Sequence, residues 1–272
     1  MVVTRKKVNK LKSILSEMRS VLVAFSGGVD STFLLKIASE VLGDNVLAVT
    51  ASSEIQIADE VDEAKRLASE MGVKHVVIRT EEMADKAYVS NTPDRCYHCK
   101  RKIFSGLKAI AVEKGIPFVI DGTNADDAND YRPGMKALRE LNVRSPLQEA
   151  GLTKAEIRKL SREMGLPTWN RPALACLASR IPYGERITPE RLSRIARAEA
   201  FLRDAGIVQV RVRNHGSVAR IETSPEEMSK ICDGEFAKRI VRALKEFGYT
   251  YVALDLEGYR MGSLNETVQR NG

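Results

Sequence analysis

Long apolar runs are missing from this 272-residue chain: none approaches the roughly 18 residues that a membrane-spanning helix needs. No membrane partner is therefore expected. The N-terminal stretch MVVTRKKVNKLKSIL is basic, but only a short amphipathic segment follows it. Without a long apolar core or a small-residue cleavage site it lacks the pattern of a secretory signal, and a cytoplasmic location is expected. Cysteine is scarce, with four in the chain: Cys96, Cys99, Cys176 and Cys232. A large cytosolic chain has little need of disulfides, so closely spaced cysteines point to metal binding or catalysis. Repeats and low-complexity segments are absent. No sign of charge dominates strongly: 43 basic and 36 acidic residues leave a formal net charge of +7. That balance suits anionic partners, namely nucleotides, phosphorylated metabolites or RNA, and does not choose among them.

What is present begins with four nearly continuous apolar runs: Val21 to Phe25, Val46 to Thr50, His75 to Ile78 and Pro117 to Asp121. Such runs read as strands buried on both faces of a parallel sheet. Helical patterns lie between them near 31–42, 57–71 and 100–114. The second carries Val61, Ala64, Leu67, Ala68 and Met71 at helical spacing. The alternation predicts a doubly wound α/β domain over 1–185, with ligands beyond the C-terminal ends of the strands. Thr153-x-x-Glu156 is a capping box for a helix that ends near Gly165 and Pro167. The Pro-rich stretch to Gly184 reads as a loop over the active face. After it, Thr188-Pro189-Glu190 starts another helix. Val208, Val210 and Val212 alternate with Gln209, Arg211 and Arg213, which predicts a half-buried strand with its arginines on the open face. Ser224 caps a further helix, in which Cys232 is expected to be buried, and Tyr251 to Leu256 reads as a last strand. A small α/β domain is thus expected over 186–272.

Ser26-Gly27-Gly28-Val29-Asp30-Ser31 separates the first run from the first helix. Glycines let the backbone turn tightly and approach an anion, and the helix start can then bind phosphate. Ser26 and Ser31 can add hydroxyl donors, and Asp30 can hold Mg2+ on a pyrophosphate. The lysine of a Walker A loop is missing. S-G-G-V-D-S after a buried strand resembles the PP-loop of the ATP pyrophosphatases, which include GMP synthetase, NAD synthetase, argininosuccinate synthetase and tRNA thiolation enzymes. The resemblance implies an adenine nucleotide alpha hydrolase-like fold that cleaves ATP to AMP and pyrophosphate. It also implies nucleotide contacts from the turn Asp121-Gly122-Thr123-Asn124-Ala125-Asp126-Asp127, through Gly122 and Asp126, and from Thr50 to Ser52.

A more specific stretch is Trp169-Asn170-Arg171-Pro172-Ala173-Leu174-Ala175-Cys176-Leu177-Ala178-Ser179-Arg180-Ile181-Pro182-Tyr183-Gly184. It resembles the LarE family, ATP-dependent sulfur transferases of nickel-pincer nucleotide cofactor synthesis. Ser145-Pro146-Leu147, the helix from Thr153 to Arg158 and Gly258 to Asn265 extend the similarity over nearly the whole chain. The resemblance implies a pyridinium biscarboxylic acid mononucleotide as substrate, adenylation of one carboxylate, and replacement of AMP by sulfur. Arg180, Arg211 and Arg213 are candidates to neutralise the substrate's phosphate and carboxylates. Family likeness also implies a homo-oligomer, a hexamer built through the second domain.

Three readings of the cysteines remain open on the residues alone. In one version of the family a lone cysteine matching Cys176 gives up its own sulfur. Cys96-Tyr97-His98-Cys99, placed in the loop before the third helix, adds two thiols, and a trio with Cys176 resembles the ligand set of a [4Fe-4S] cluster. A cluster with one open iron would pass on sulfide from an external donor. Zinc on the same thiols, with His98 or Cys232, is the third reading. A tRNA thiolation enzyme is the rival function, although four cysteines leave none for a zinc finger and no nucleic acid is expected as partner.

Overall fold

In this computed structural model, residues 2–53, 58–129, 133–172, 176–260 and 263 are described. The helices are α1 (Val2–Met18), α2 (Val29–Leu42), α3 (Ala58–Glu70), α4 (Lys86–Val89), α5 (Arg95–Glu113), α6 (Pro133–Glu140), α7 (Pro146–Glu149), α8 (Lys154–Glu163), α9 (Pro189–Asp204), α10 (Pro225–Ile231) and α11 (Gly234–Glu246). The strands are β1 (Val21–Ala24), β2 (Val46–Ser53), β3 (Lys74–Thr80), β4 (Phe118–Ile120), β5 (Val210–His215), β6 (Val218–Thr223) and β7 (Tyr251–Leu254). None of the described helices is long and apolar enough to cross a membrane.

The chain forms two compact units, Met1–Glu82 with Asp94–Leu174, and Met83–Pro93 with Ala175–Gly272. The sequence reading set its division between 185 and 186 and contained no excursion. A short segment, 83–93, joins the second unit because Asn91 ties it there. The Asn91 side-chain amide donates to the carbonyls of Ile181, Pro182 and Glu185 at 3.3, 2.7 and 2.9 Å. Two backbone bonds, Gly184 N–H to Asn91 O and Ile187 N–H to Val89 O, complete the seam. Such side-chain pairing of distant segments leaves no periodic trace in a sequence.

The first unit is an α/β fold around a parallel sheet of order β3-β2-β1-β4. Its central strand, β1, is flanked by β2 and β4, so Val21, Leu22 and Val23 are buried on both faces. That explains the unbroken apolar run. On one face Leu11, Leu15, Phe33, Leu34, Ile37 and Leu67 pack with Val21 and Val23; on the other Leu22 meets Phe104, Leu107 and Leu138. The capping box at Thr153 forms in full, with Thr153 Oγ1 accepting from Glu156 N–H and the Glu156 side chain accepting from Thr153 N–H. Gly165 then closes α8 at φ +70°.

The second unit carries a sheet of order β5-β6-β7, antiparallel between β5 and β6 and parallel between β6 and β7. Thr188 caps α9 by accepting from Arg191 N–H, as its sequence signal indicates. Val212, Ala219 and Ile221 pack with Leu202, Ile240 and Leu244. Two local expectations fail here. Val208 lies outside β5 and is exposed, and Cys232 is exposed at the C-cap of α10, one residue past the buried Ile231.

Candidate functional site

At the end of β1 the chain turns through Ser26, Gly27 and Gly28 into α2. Gly27 sits at φ +70°, in the left-handed region that a side chain disfavours. No side chain caps α2, whose N-cap is Gly28. A helix start of this kind, with its N–H groups free of a side-chain cap, is suited to an anion. The Ser26 and Ser31 hydroxyls lie 3.1 Å apart beside it, and the Ser31 hydroxyl reaches Gly28 O at 3.3 Å.

Thr50 braces this loop. Its hydroxyl donates to Phe25 O at 2.7 Å and also lies 2.7 Å from His75 Nε2. Because the hydroxyl proton is committed to Phe25, His75 must supply the other hydrogen from Nε2. Burial, with the Lys65 charge in second place, holds the His75 pKa below its ordinary value. Ser52, half-buried on β2, presents its carbonyl to the Thr80 hydroxyl at 3.3 Å.

The turn after β4 is organised by Asp121. This buried carboxylate accepts from the Ser145 hydroxyl at 2.6 Å and from Thr123 Oγ1 at 2.5 Å. Gly122 is required by close approach: a Cβ there would stand 3.0 Å from Ser31 N and 3.2 Å from Ser31 Cα. Its position therefore presses the turn against the first turn of α2. Asp126 is exposed and accepts from Lys154 N–H at 2.8 Å.

Asp30, on the first turn of α2, forms an ion pair through Oδ2 with Lys154 at the start of α8. Its other oxygen, Oδ1, is buried and lacks a hydrogen-bond partner. Burial pushes the carboxyl pKa up, Lys154 pulls it down, and Asp127 adds to the rise. An orphaned buried carboxylate oxygen beside an anion-binding helix start fits a divalent cation such as Mg2+. Two further basic residues act on the loop. Arg171 donates to Gly27 O at 3.3 Å and pairs with Glu63, while Arg158 holds the carbonyls of Trp169 and Arg171 at 2.8 and 2.6 Å. Sequence reasoning missed Lys154, Arg158, Arg171 and His75 as parts of this site. For Lys154, Arg158 and Arg171 the available signal was their presence in family-like stretches; His75 lay in an apolar run that gave none.

Cys96 and Cys99 belong to the first turn of α5, which begins at Arg95, five residues before the helical pattern expected near 100. The C-x-x-C is therefore helical and not a loop. Side-chain pairs favour the extension: His98 Nε2 lies 3.1 Å from Asp94 Oδ2, and Tyr97 OH donates to Glu140 at 2.7 Å. At spacing i, i+3 both thiols share a face. Cys96 is exposed and Cys99 half-buried.

Cys176 belongs to the second unit, where it is exposed. Its sulfur lies 3.7 Å from the hydroxyl of the buried Tyr88. Its carbonyl accepts from Ser179 N–H and from Arg180 Nη1 at 2.9 and 3.0 Å. Ala173, Leu174 and Ala175 of the same motif lie outside the described residues, as do Met261, Gly262, Leu264 and Asn265 of the C-terminal one. None of the four cysteines forms a disulfide. Among the described residues no group of three or more His, Cys, Asp or Glu could hold a metal ion.

Arg180, Arg211 and Arg213 are all buried, which corrects the expectation of an open arginine face on β5. The reason is a set of buried carboxylates that composition could not place. Arg180 pairs through Nε and Nη2 with Glu199 at 2.8 and 3.0 Å. Burial works against ionised Glu199, but Arg180 and the Val212 N–H outweigh it and hold its pKa low. Arg213 meets Glu222 at 2.7 Å, Ser179 O at 2.9 Å and Ser263 Oγ at 3.0 Å. Arg211 stacks over the Tyr259 ring at 5.3 Å, and burial, followed by the Arg180 charge, lowers its pKa. Three guanidiniums are thus concentrated in one small unit, in surroundings where each charge acts strongly.

The NAD synthase family matches residues 3–102. The chain is 41% identical over 261 residues to the pyridinium-3,5-bisthiocarboxylic acid mononucleotide synthase of Lactiplantibacillus plantarum, covering 96% of this chain and 94% of that protein. It is 43% identical over 264 residues to the uncharacterized protein slr1717 of Synechocystis sp., covering 97% and 98%. The tRNA-specific 2-thiouridylase MnmA of Desulforamulus reducens is more distant, 26% identical over 195 residues, covering 57% of this chain and 53% of that protein.

Proposed function

Given that the chain belongs to the PP-loop family of the pyridinium-3,5-bisthiocarboxylic acid mononucleotide synthases, we propose that it is an ATP-dependent sulfur transferase acting on pyridinium-3,5-biscarboxylic acid mononucleotide. The observation that carries this reading is the anion cradle at Gly27 and Gly28, backed by an Asp30 oxygen without a partner. A substrate carboxylate attacks the α-phosphorus of ATP, the bond to the bridging oxygen breaks, and pyrophosphate leaves. The carboxylate, a poor electrophile, thereby gains AMP as a leaving group. A sulfur nucleophile then attacks the carbonyl carbon and expels AMP, leaving a thiocarboxylate.

Ser26, Gly27, Gly28 and Ser31 bind the pyrophosphate end, with Asp30 as the ligand for Mg2+, which would neutralise charge on the leaving group. Thr50, Ser52, Gly122 and Asp126 form the adenosine side. Arg180, Arg211 and Arg213 neutralise the substrate's anionic groups. Cys96, Cys99 and Cys176 would be the thiolate donors for a [4Fe-4S] cluster, which would supply the chemistry for passing on sulfide from an external donor. The exposure of Cys96 and Cys176 and the shared helix face of Cys96 and Cys99 support this assignment. The protein acts in the cytoplasm as a homo-oligomer, a hexamer, and without nucleic acid.

The test is iron and acid-labile sulfide content after reconstitution without oxygen, with Cys96→Ala, Cys99→Ala and Cys176→Ala beside the unaltered protein. About four irons and four sulfides per chain, reduced in each variant, is the expected result for a cluster held by three cysteines. No iron in the unaltered protein rejects the cluster. A loss of hydrogen sulfide from the protein mass after turnover would then identify Cys176 as its own sulfur source.

A further inference from the structure

The PP-loop itself carries no lysine, yet the structure brings one to it from 124 residues away. Lys154 Nζ is bound to Asp30 Oδ2, the carboxylate assigned above to the metal. Its backbone is also anchored, because Lys154 N–H donates to Asp126 Oδ2 at 2.8 Å and Thr153 caps the same turn. Only the side chain is then free to move. Meanwhile Asp30 Oδ1 remains buried without a partner, so the ammonium satisfies half of this carboxylate.

We infer that Lys154 is an exchangeable cation that holds the Asp30 carboxylate until metal and nucleotide arrive together. A carboxylate with a buried oxygen is costly without a positive partner, and Lys154 supplies one. A divalent ion binding alone must displace the ammonium and leave it beside a second positive charge. A nucleotide arriving with the metal brings the anion to which the displaced ammonium can turn. Metal and nucleotide binding are then coupled through one side chain, and each favours the other by the same factor. The pairing makes the site reluctant to load a bare cation, which could not support the reaction. This inference rests on the proposed role of Asp30 in ATP cleavage.

The test uses the full-length Lys154→Met variant and two binding measurements. Free Mn2+ is titrated by electron paramagnetic resonance without nucleotide, and ATP is titrated by calorimetry with EDTA present. Loss of the competing ammonium is expected to tighten Mn2+ binding about tenfold while weakening metal-free ATP binding about tenfold, each step corresponding to roughly 1.4 kcal/mol. The Mn2+ gain should vanish in the Asp30→Asn/Lys154→Met double variant. A lysine that only supported the fold would weaken both ligands together. Unchanged or weaker Mn2+ binding in Lys154→Met, or a gain that survives Asp30→Asn, overturns the exchange. Pyrophosphate release from ATP by the unaltered protein is measured alongside. Its absence would reject the ATP-cleaving function itself, whereas its presence with unchanged Mn2+ binding would reject the exchange alone.

Discussion

The two units carry electropositive groups of opposite kinds. In the first, the PP-loop uses backbone: a left-handed Gly27, a helix start without a side-chain cap, and two small hydroxyl side chains. In the second, positive charge is held in guanidiniums packed against buried Glu199 and Glu222. A backbone cradle is compact and local in sequence, and it needs little compensation because a peptide dipole is neutral overall. A guanidinium cluster carries full charges, so its carboxylate partners become part of the fold's own stability. Damage to the first region should therefore appear mainly in ligand binding. Damage to the second should appear first in unfolding.

Glu199→Ala is the strongest way to break that contrast. It leaves Arg180 buried without the partner that fills its Nε and Nη2, and Val212 N–H without its acceptor. Stability should fall by about 3–5 kcal/mol, the range for removing one member of a buried pair, as read from denaturant unfolding. A loss below about 1 kcal/mol would mean that water solvates the Arg180 charge, as for an exposed pair.

Gly122→Ala probes the backbone site. Its Cβ would force the turn away from Ser31, at an overpacking cost of about 1–3 kcal/mol. The KM for ATP should rise more than the stability loss alone explains. Gly234→Ala, at the start of α11, is the contrasting substitution, because a Cβ there meets nothing within 4 Å. It should leave unfolding and KM nearly unchanged.

The smallest effect is a pH dependence shared by both units. Burial is the leading cause that lowers the pKa of His75 in the first unit and of His215 in the second. The unfolded chain then takes up protons first, so stability is lost as pH falls from about 6.5 toward the lower folded values. Urea unfolding at several pH values between about 7 and about 5 should show this slope. His75→Asn should flatten it, and an unaltered slope would assign the effect to His215 and the carboxylates.

Legibility followed the range of the interactions. The parallel sheet of the first unit was readable because Val21 to Val23 are buried on both faces, which demands an unbroken apolar run. The caps at Thr153 and Thr188 were readable because each lies within three residues of the N–H it accepts from. The C-x-x-C helix was misjudged at its start, since Tyr97 is secured by Glu140, a residue 43 positions away. The arginines of β5 were misjudged for a stronger reason. Alternation normally turns charge to solvent, whereas Arg213 is buried on Glu222 and Arg211 against the Tyr259 ring.

The sequence by itself determined the α/β class of the first unit, the PP-loop between strand and helix, and the family, because hydrophobic period, glycine placement and capping act over a few residues. Tertiary structure alone decided that Lys154 meets Asp30, that Tyr88 faces Cys176, that residues 83–93 join the second unit, and that Arg180 and Arg213 are buried on glutamates. Each of these depends on a side chain meeting a partner far along the chain, and a pairwise electrostatic or hydrogen-bonded contact imposes no period on the sequence that would announce it.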